Sequence, residues 1–169
     1  MIINASPLII FGKLNRLDIL IKLFKNIEIA REVHHEVVIK GGKLTDAIAV
    51  KEYVGKGRIT IVKLNEKYSK EAHKIEEIFS IDSGEANTIA LALQRQDTQL
   101  IIDEKAAREA AKSLNMKPFG SLGVLLRAFK NKIISESDIQ HIINEMLDSK
   151  YRVGPKVINT FWNKLAELK

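Results

Sequence analysis

The chain has 169 residues, 46% of them hydrophobic, with no cysteine. That length accommodates one domain with a core of its own, and the absence of cysteine excludes disulfides, thiolate zinc sites and cysteine nucleophiles. The net charge of +6 is unevenly placed, since residues 1–103 carry 15 basic and 14 acidic side chains and residues 104–169 carry 12 and 7. A basic second half suits an anionic partner such as nucleic acid, although a solvated lysine-rich surface explains the same excess. No apolar run is long enough to span a bilayer and no secretory signal pattern opens the chain, so a cytoplasmic protein without a membrane partner is expected.

In chain order, Met1-Ile2-Ile3 is a short apolar run that stops on Asn4. Ser6-Pro7 then reads as the cap and first position of a helix that Gly12 stops, and Leu14, Leu17, Leu20, Ile21 and Phe24 recur at helical spacing. Residues 27–30 form a brief strand, and Arg31 to Lys40 a helix ended by Gly41-Gly42. A helix over 44–55, a strand over 58–62 and a helix over 66–79 follow. Asp82-Ser83-Gly84-Glu85 opens a helix with Ala86, Ile89, Ala90 and Leu93 inward.

A second apolar run, Leu100-Ile101-Ile102, stops on Asp103 and turns into a helix over 104–115. Residues 116–119 suit one more short strand. Gly120-Ser121 opens a helix over 122–131, Ser135-x-x-Asp138 caps another to Lys150, and the turn Tyr151–Pro155 leads into an amphipathic helix with Ile158, Phe161, Trp162 and Leu165. Strands alternating with helices predict a three-layer α/β/α fold around a parallel sheet of four to five strands, with added C-terminal helices. Those last helices could cover an apolar surface, or place Phe161 and Trp162 at an oligomer contact.

Open α/β sheets bind ligands at the carboxyl ends of their strands, which is where Asn4 and Asp103 fall. Glu85 lies in the first turn of its helix beside Gly84, and Glu36 about a turn and a half into the helix after the second strand. Three carboxylates and an amide oxygen are hard ligands that suit Mg²⁺ or Mn²⁺. Each residue also has an ordinary role: Asp82-x-x-Glu85 is a capping box, Asp103 can cap the helix after it, Glu36 can be solvated, and Asn4 can hold the following turn. Ser6, Asp82, Glu104 and Ser121 are further candidates around the same crevice, and Lys105, Arg108 and Arg127 are candidate phosphate contacts. His34 and His35 are adjacent, so on a helix they point about 100° apart and share no metal face.

Four segments in this order carry a family likeness: Asn4-Ala5-Ser6-Pro7-Leu8-Ile9; Gly84-Glu85-Ala86 with Ile89-Ala90-Leu91-Ala92; Leu100 to Glu104 with Ala107-Arg108; and Gly120 to Ala128. The chain resembles the PIN-domain proteins of a small prokaryotic branch, over residues 1–135 and more loosely over a helical extension, 136–169, packed on the same domain. The resemblance implies a metal-dependent nuclease acting on single-stranded RNA, with many relatives serving as the toxin of a toxin–antitoxin pair. It implies RNA and an antitoxin protein as partners; a homodimer is expected as well, with the last two helices as its contact. The family's acidic cluster falls on Asn4, Glu36, Glu85 and Asp103, with Glu104 as an extra. The usual first residue is aspartate, and here it is asparagine. Three carboxylates balance two Mg²⁺ ions poorly, so an alternative is a catalytically weak PIN domain that binds RNA or protein.

Overall fold

The computed structural model describes residues 1–149 and 151–168. Five strands, β1 (Ile2–Ile3), β2 (Ile27–Ala30), β3 (Ile59–Val62), β4 (Gln99–Ile101) and β5 (Lys117–Phe119), form one sheet. Its order is β3-β2-β1-β4-β5 and every pairing is parallel. The helices before β4 are α1 (Ala5–Lys13), α2 (Leu17–Leu23), α3 (Arg31–His34), α4 (Thr45–Gly55), α5 (Glu66–Phe79) and α6 (Ser83–Arg95). After it come α7 (Lys105–Ser113), α8 (Ser121–Lys130), α9 (Glu136–Asp148) and α10 (Pro155–Ala166). The helices flank the sheet in a three-layer α/β/α fold.

The central strands are unbroken apolar runs because both of their faces are covered: Ile2, Ile3, Leu100 and Ile101 are all fully buried. From β1 the chain moves outward through β2 and β3, then returns to the other side of β1 for β4 and β5. The direction of winding reverses between β1 and β4, and a crevice opens at such a switch point. Ile3 pairs in register with Ile101, and the Asn4 N–H reaches the Ile101 carbonyl at 2.9 Å. Asn4 and the Asp103-Glu104 pair therefore leave the sheet side by side.

Several local expectations change. Helix α1 begins at Ala5 with Asn4 in the capping position, where its side chain makes no cap bond, so Ser6 and Pro7 lie inside the first turn. Proline is accepted there because first-turn N–H groups have no intrahelical acceptor. Gly12 does not stop the helix. It is small because a Cβ would lie 2.9 Å from Cα of Asp46 on α4. The expected helix 31–40 is continuous but changes pitch, with α3 running into a π-helical segment, His35–Lys40.

Both predicted capping boxes form, at Asp82/Glu85 and Ser135/Asp138. The expected end of the α9 helix at Lys150 lies outside the described residues. Ile139, Ile142, Ile143 and Met146 of α9 and Phe161 and Leu165 of α10 join the main core. Phe161 is 3% exposed and meets Trp162 edge-on at 5.1 Å, so it is spent on this chain's own interior rather than offered to a partner. Among the described residues no helix is long and apolar enough to cross a membrane.

Candidate metal and nucleic-acid site

Helix α6 packs against β1, β2 and β4, and its residues from Gly84 to Ala92 are buried throughout. Alanines at 86, 90 and 92 let the helix sit close to the sheet, and this brings its first turn to the ends of β1 and β4. Glu85, 4% exposed, is there for two reasons. Its Oε2 accepts the Asp82 N–H at 3.1 Å while its own N–H donates to Asp82 Oδ1 at 2.8 Å. The capping role is therefore real, yet it occupies one carboxylate oxygen and leaves the other.

Gly84 is the hub of the crevice. A Cβ on it would lie 2.9 Å from Glu36 Oε2, 3.3 Å from Asp82 Oδ1 and 3.8 Å from Asn4 Oδ1. The missing side chain is thus what lets Glu36, Asp82 and Asn4 approach one point. Glu36 comes from the π-helical segment, a distortion frequent at functional sites because it re-aims one turn of side chains. Nothing in the local spacing signals it. Asn4 is 3% exposed, and the Thr88 hydroxyl lies between its Oδ1 at 3.1 Å and the Gly84 carbonyl at 2.7 Å. Thr88 was missed in the sequence, although a polar residue one turn after Glu85 among alanines is a usable sign.

Asp103 and Glu104 follow β4 and differ in their partners. The Ser6 hydroxyl donates to Glu104 Oε1, Glu104 Oε2 is buried with no donor on it, and the Glu104 carboxyl hydrogen-bonds that of Glu85 when one of the two holds a proton. Glu104 also faces the carboxyls of Glu85 and Glu36, and repulsion from it helps raise the pKa of both. Asp103 is held by three donors. Its Oδ1 accepts the Ser121 N–H at 2.7 Å and the Tyr151 hydroxyl at 3.0 Å, and its Oδ2 accepts the Ser121 hydroxyl at 2.6 Å. Gly120 permits this contact, since a Cβ would stand 2.6 Å from Asp103 Oδ1. Tyr151 is 48 residues away in sequence, and no local pattern could have flagged it. Neither Asp103 nor Glu104 caps α7 with its side chain.

The predicted basic contacts divide in the same way. Lys105 is exposed. Arg108 turns its guanidinium onto the Asp103 and Ile102 carbonyls, stabilising the end of β4. Arg127 lies 3.7 Å over the Phe119 ring and donates to Gln99 Oε1 at 3.0 Å, so its charge is used inside the fold.

Burial pushes the Glu85 carboxyl up to about 7, with the Asp82 N–H opposing and the charges of Asp82 and Glu104 adding to the rise. Burial also raises Glu36, with Asp82 and Glu104 adding and Lys40 opposing. Asp103 is raised by burial too, against the donors on Ser121 and Tyr151. A carboxyl whose folded pKa lies above its unfolded value binds its proton more tightly when folded. Between the two values the native state holds more protons, so stability falls as pH rises. Metal-free protein is therefore expected to lose about 1–2 kcal/mol between pH 4.5 and 7 from Glu85, the full linkage reduced by solvent screening. Thermal melts in EDTA check this, and added Mn²⁺ should flatten the slope by binding the ionised native state. A melting temperature that rises with pH over that window would contradict the arrangement.

The donor set is all oxygen, which fits Mg²⁺ or Mn²⁺ and not the sulfur- or nitrogen-seeking metals. The Glu36, Asp82 and Asn4 oxygens gathered over Gly84, and a Glu104 oxygen with no donor on it, fit a cation at this crevice. Among the described residues, no three Asp, Glu or His side chains are already grouped closely enough to hold a metal ion.

A family model described as a PIN domain matches residues 1–167. The chain belongs to the PIN-domain family. The match covers α9 and α10 as well as the five-stranded part. PIN domains are generally nucleases and typically use divalent metal ions. Among curated proteins none matches the chain.

Proposed function

We propose that this PIN domain is a metal-dependent ribonuclease that cleaves phosphodiester bonds of single-stranded RNA, with Glu36, Glu85, Glu104 and Asn4 holding Mg²⁺ or Mn²⁺. The observation that carries the reading is the approach of Glu36, Asp82 and Asn4 oxygens to one point over Gly84, beside the buried Glu85 carboxyl at the switch point. When bound, the metal lowers the pKa of a water and stabilises charge on the scissile phosphate. Asp82 fixes one oxygen of Glu85 and leaves the other toward the crevice. Ser6 fixes one oxygen of Glu104, and Thr88 fixes the Asn4 amide. Asp103, Ser121 and Tyr151 make the wall behind them.

For a toxin role, with an antitoxin protein as partner, the support is the family resemblance. Asn4 favours a second reading, a weakly active PIN domain that chiefly binds RNA or protein, because an amide ligates without neutralising charge. Incubation of unstructured RNA with Mn²⁺ tests both. The parent chain is expected to cleave, Glu85→Gln to lose cleavage, and Asn4→Asp to cleave about tenfold faster through tighter metal binding. Cleavage by Asn4→Asp alone would move the second reading ahead. Cleavage by neither chain would end the nuclease reading.

A further inference from the structure

Next to the acidic crevice runs a groove of about 990 Å³, bounded by α1, α7, the β5–α8 turn and the segment from Ser149 into α10. At one end are Ser6, Asp103 and Glu104. Along its length stand Lys13, Lys105, Lys112, Arg152, Lys156 and Lys164. All six are exposed. Lys112 has a surface pair with Glu109, whereas among the described residues the other five make no salt bridge. Asp103 and Glu104 are the acidic residues among the described lining, and Asp103 already accepts three hydrogen bonds. Five of the 12 basic residues of the second half thus stand exposed along this one surface, with Lys13 from the first.

The placement is periodic. Lys156, Thr160 and Lys164 are spaced by four on α10 and all line the groove, a polar face about 12 Å long. Lys105 and Lys112 are two turns apart on α7 and line it as well. The lining also includes apolar Ile9, Leu122, Leu126, Val157 and Phe119. Cations spread over α1, α7 and α10 together with apolar lining match a single nucleic-acid strand, which presents phosphates on one side and unpaired base faces on the other. A compact anion would need one cluster of cations, and an acidic peptide would gain little from the apolar lining.

We infer that this groove is the path of a single-stranded nucleic acid and that the C-terminal segment 151–166 is its binding arm, hooked to the acidic crevice by Tyr151. The inference rests on the nuclease reading for its polarity, since the strand enters the crevice at Ser6 and Glu104. It departs from the sequence expectation by moving the phosphate contacts from Arg108 and Arg127 to Lys156, Lys164 and Arg152.

Binding of a short fluorescein-labelled oligouridine, followed by anisotropy in EDTA, tests it without turnover. Over about 50 to 200 mM salt the affinity should fall steeply, each strand phosphate contact adding about 0.7 to the slope of log K against log salt. Lys156→Ala with Lys164→Ala should weaken binding about tenfold and reduce that slope by about 1.4. Lys130→Ala with Lys132→Ala removes the same charge from exposed positions outside the groove and should leave the slope unchanged. Equal effects from the two pairs, or an unchanged slope in the first, would overturn the inference. Displacement of the oligonucleotide by polyglutamate or by a duplex at the same concentration would overturn it too, in favour of an acidic protein partner or a generic charged surface. Failure of cleavage with binding intact would count against the nuclease reading alone. Cleavage with no effect of the α10 lysines would mean the strand takes another route.

Discussion

Glu104→Gln is expected to remove Mn²⁺ binding while raising the stability of the metal-free protein. The carboxylate it replaces has one oxygen held by Ser6 and another buried with no donor on it, beside the carboxyls of Glu85 and Glu36. An amide oxygen still accepts the Ser6 hydroxyl, and the amide NH₂ can donate to either neighbouring carboxylate. The change turns a repulsive contact into an attractive one, so the Glu85 carboxyl should titrate lower than in the parent. Ordering the ligands of a metal even indirectly is worth 10–100-fold in affinity, so loss of a direct one should reduce Mn²⁺ binding and cleavage by about 100-fold or more. Calorimetry with Mn²⁺ and thermal melts in EDTA at about pH 8 read the two effects separately. Parent-like Mn²⁺ affinity would remove Glu104 from the ligand set. A large fall in stability would show that its burial is compensated by the fold.

The fold was readable because its signals are local. Apolar runs at 1–3 and 100–102, capping boxes at 82 and 135, and helical spacing of aliphatic residues each act over a few positions, and the strand–helix alternation leaves few topologies. The site was half readable for the same reason. Asn4 and Glu85 fall where strand ends and helix starts put them. Asp103 was read correctly as a residue at the crevice, but its partners Ser121 and Tyr151 lie 18 and 48 residues away. Only the folded chain decides that these three donors hold Asp103 in place while Glu104 keeps a buried oxygen with no donor on it. Arg127 is a parallel case. Its position on α8 was legible, and its contact with Phe119 and Gln99 was not. Glu36 depended on a change of helical pitch that no residue in 31–40 announces.

Substitutions at Asp103 separate structural from ligand roles, and the two candidate acids should behave oppositely. Asp103→Ala leaves the Ser121 N–H and the Tyr151 hydroxyl without their acceptor in a crowded setting. An unsatisfied buried donor costs about 1–3 kcal/mol, so a loss of about 3–5 kcal/mol is expected, with loosening of the link between the β5–α8 turn and the segment entering α10. Asp103→Asn keeps the shape and one acceptor oxygen, and the Ser121 hydroxyl can reverse to accept from the new amide. A loss of about 1–2 kcal/mol is expected there, with Mn²⁺ affinity within about threefold of the parent. Urea denaturation in EDTA gives the stabilities, and calorimetry at saturating protein stability gives the affinity. If Asp103→Asn abolished Mn²⁺ binding with stability unchanged, the Ser121 and Tyr151 donors would have to yield to the metal, and Asp103 rather than Glu104 would be the ligand after β4. The two residues are adjacent on one strand end, so their opposite signatures also measure where the crevice's charge is held. Asp103 is tied to Ser121 and Tyr151, whereas Glu104 has one buried oxygen with no donor on it.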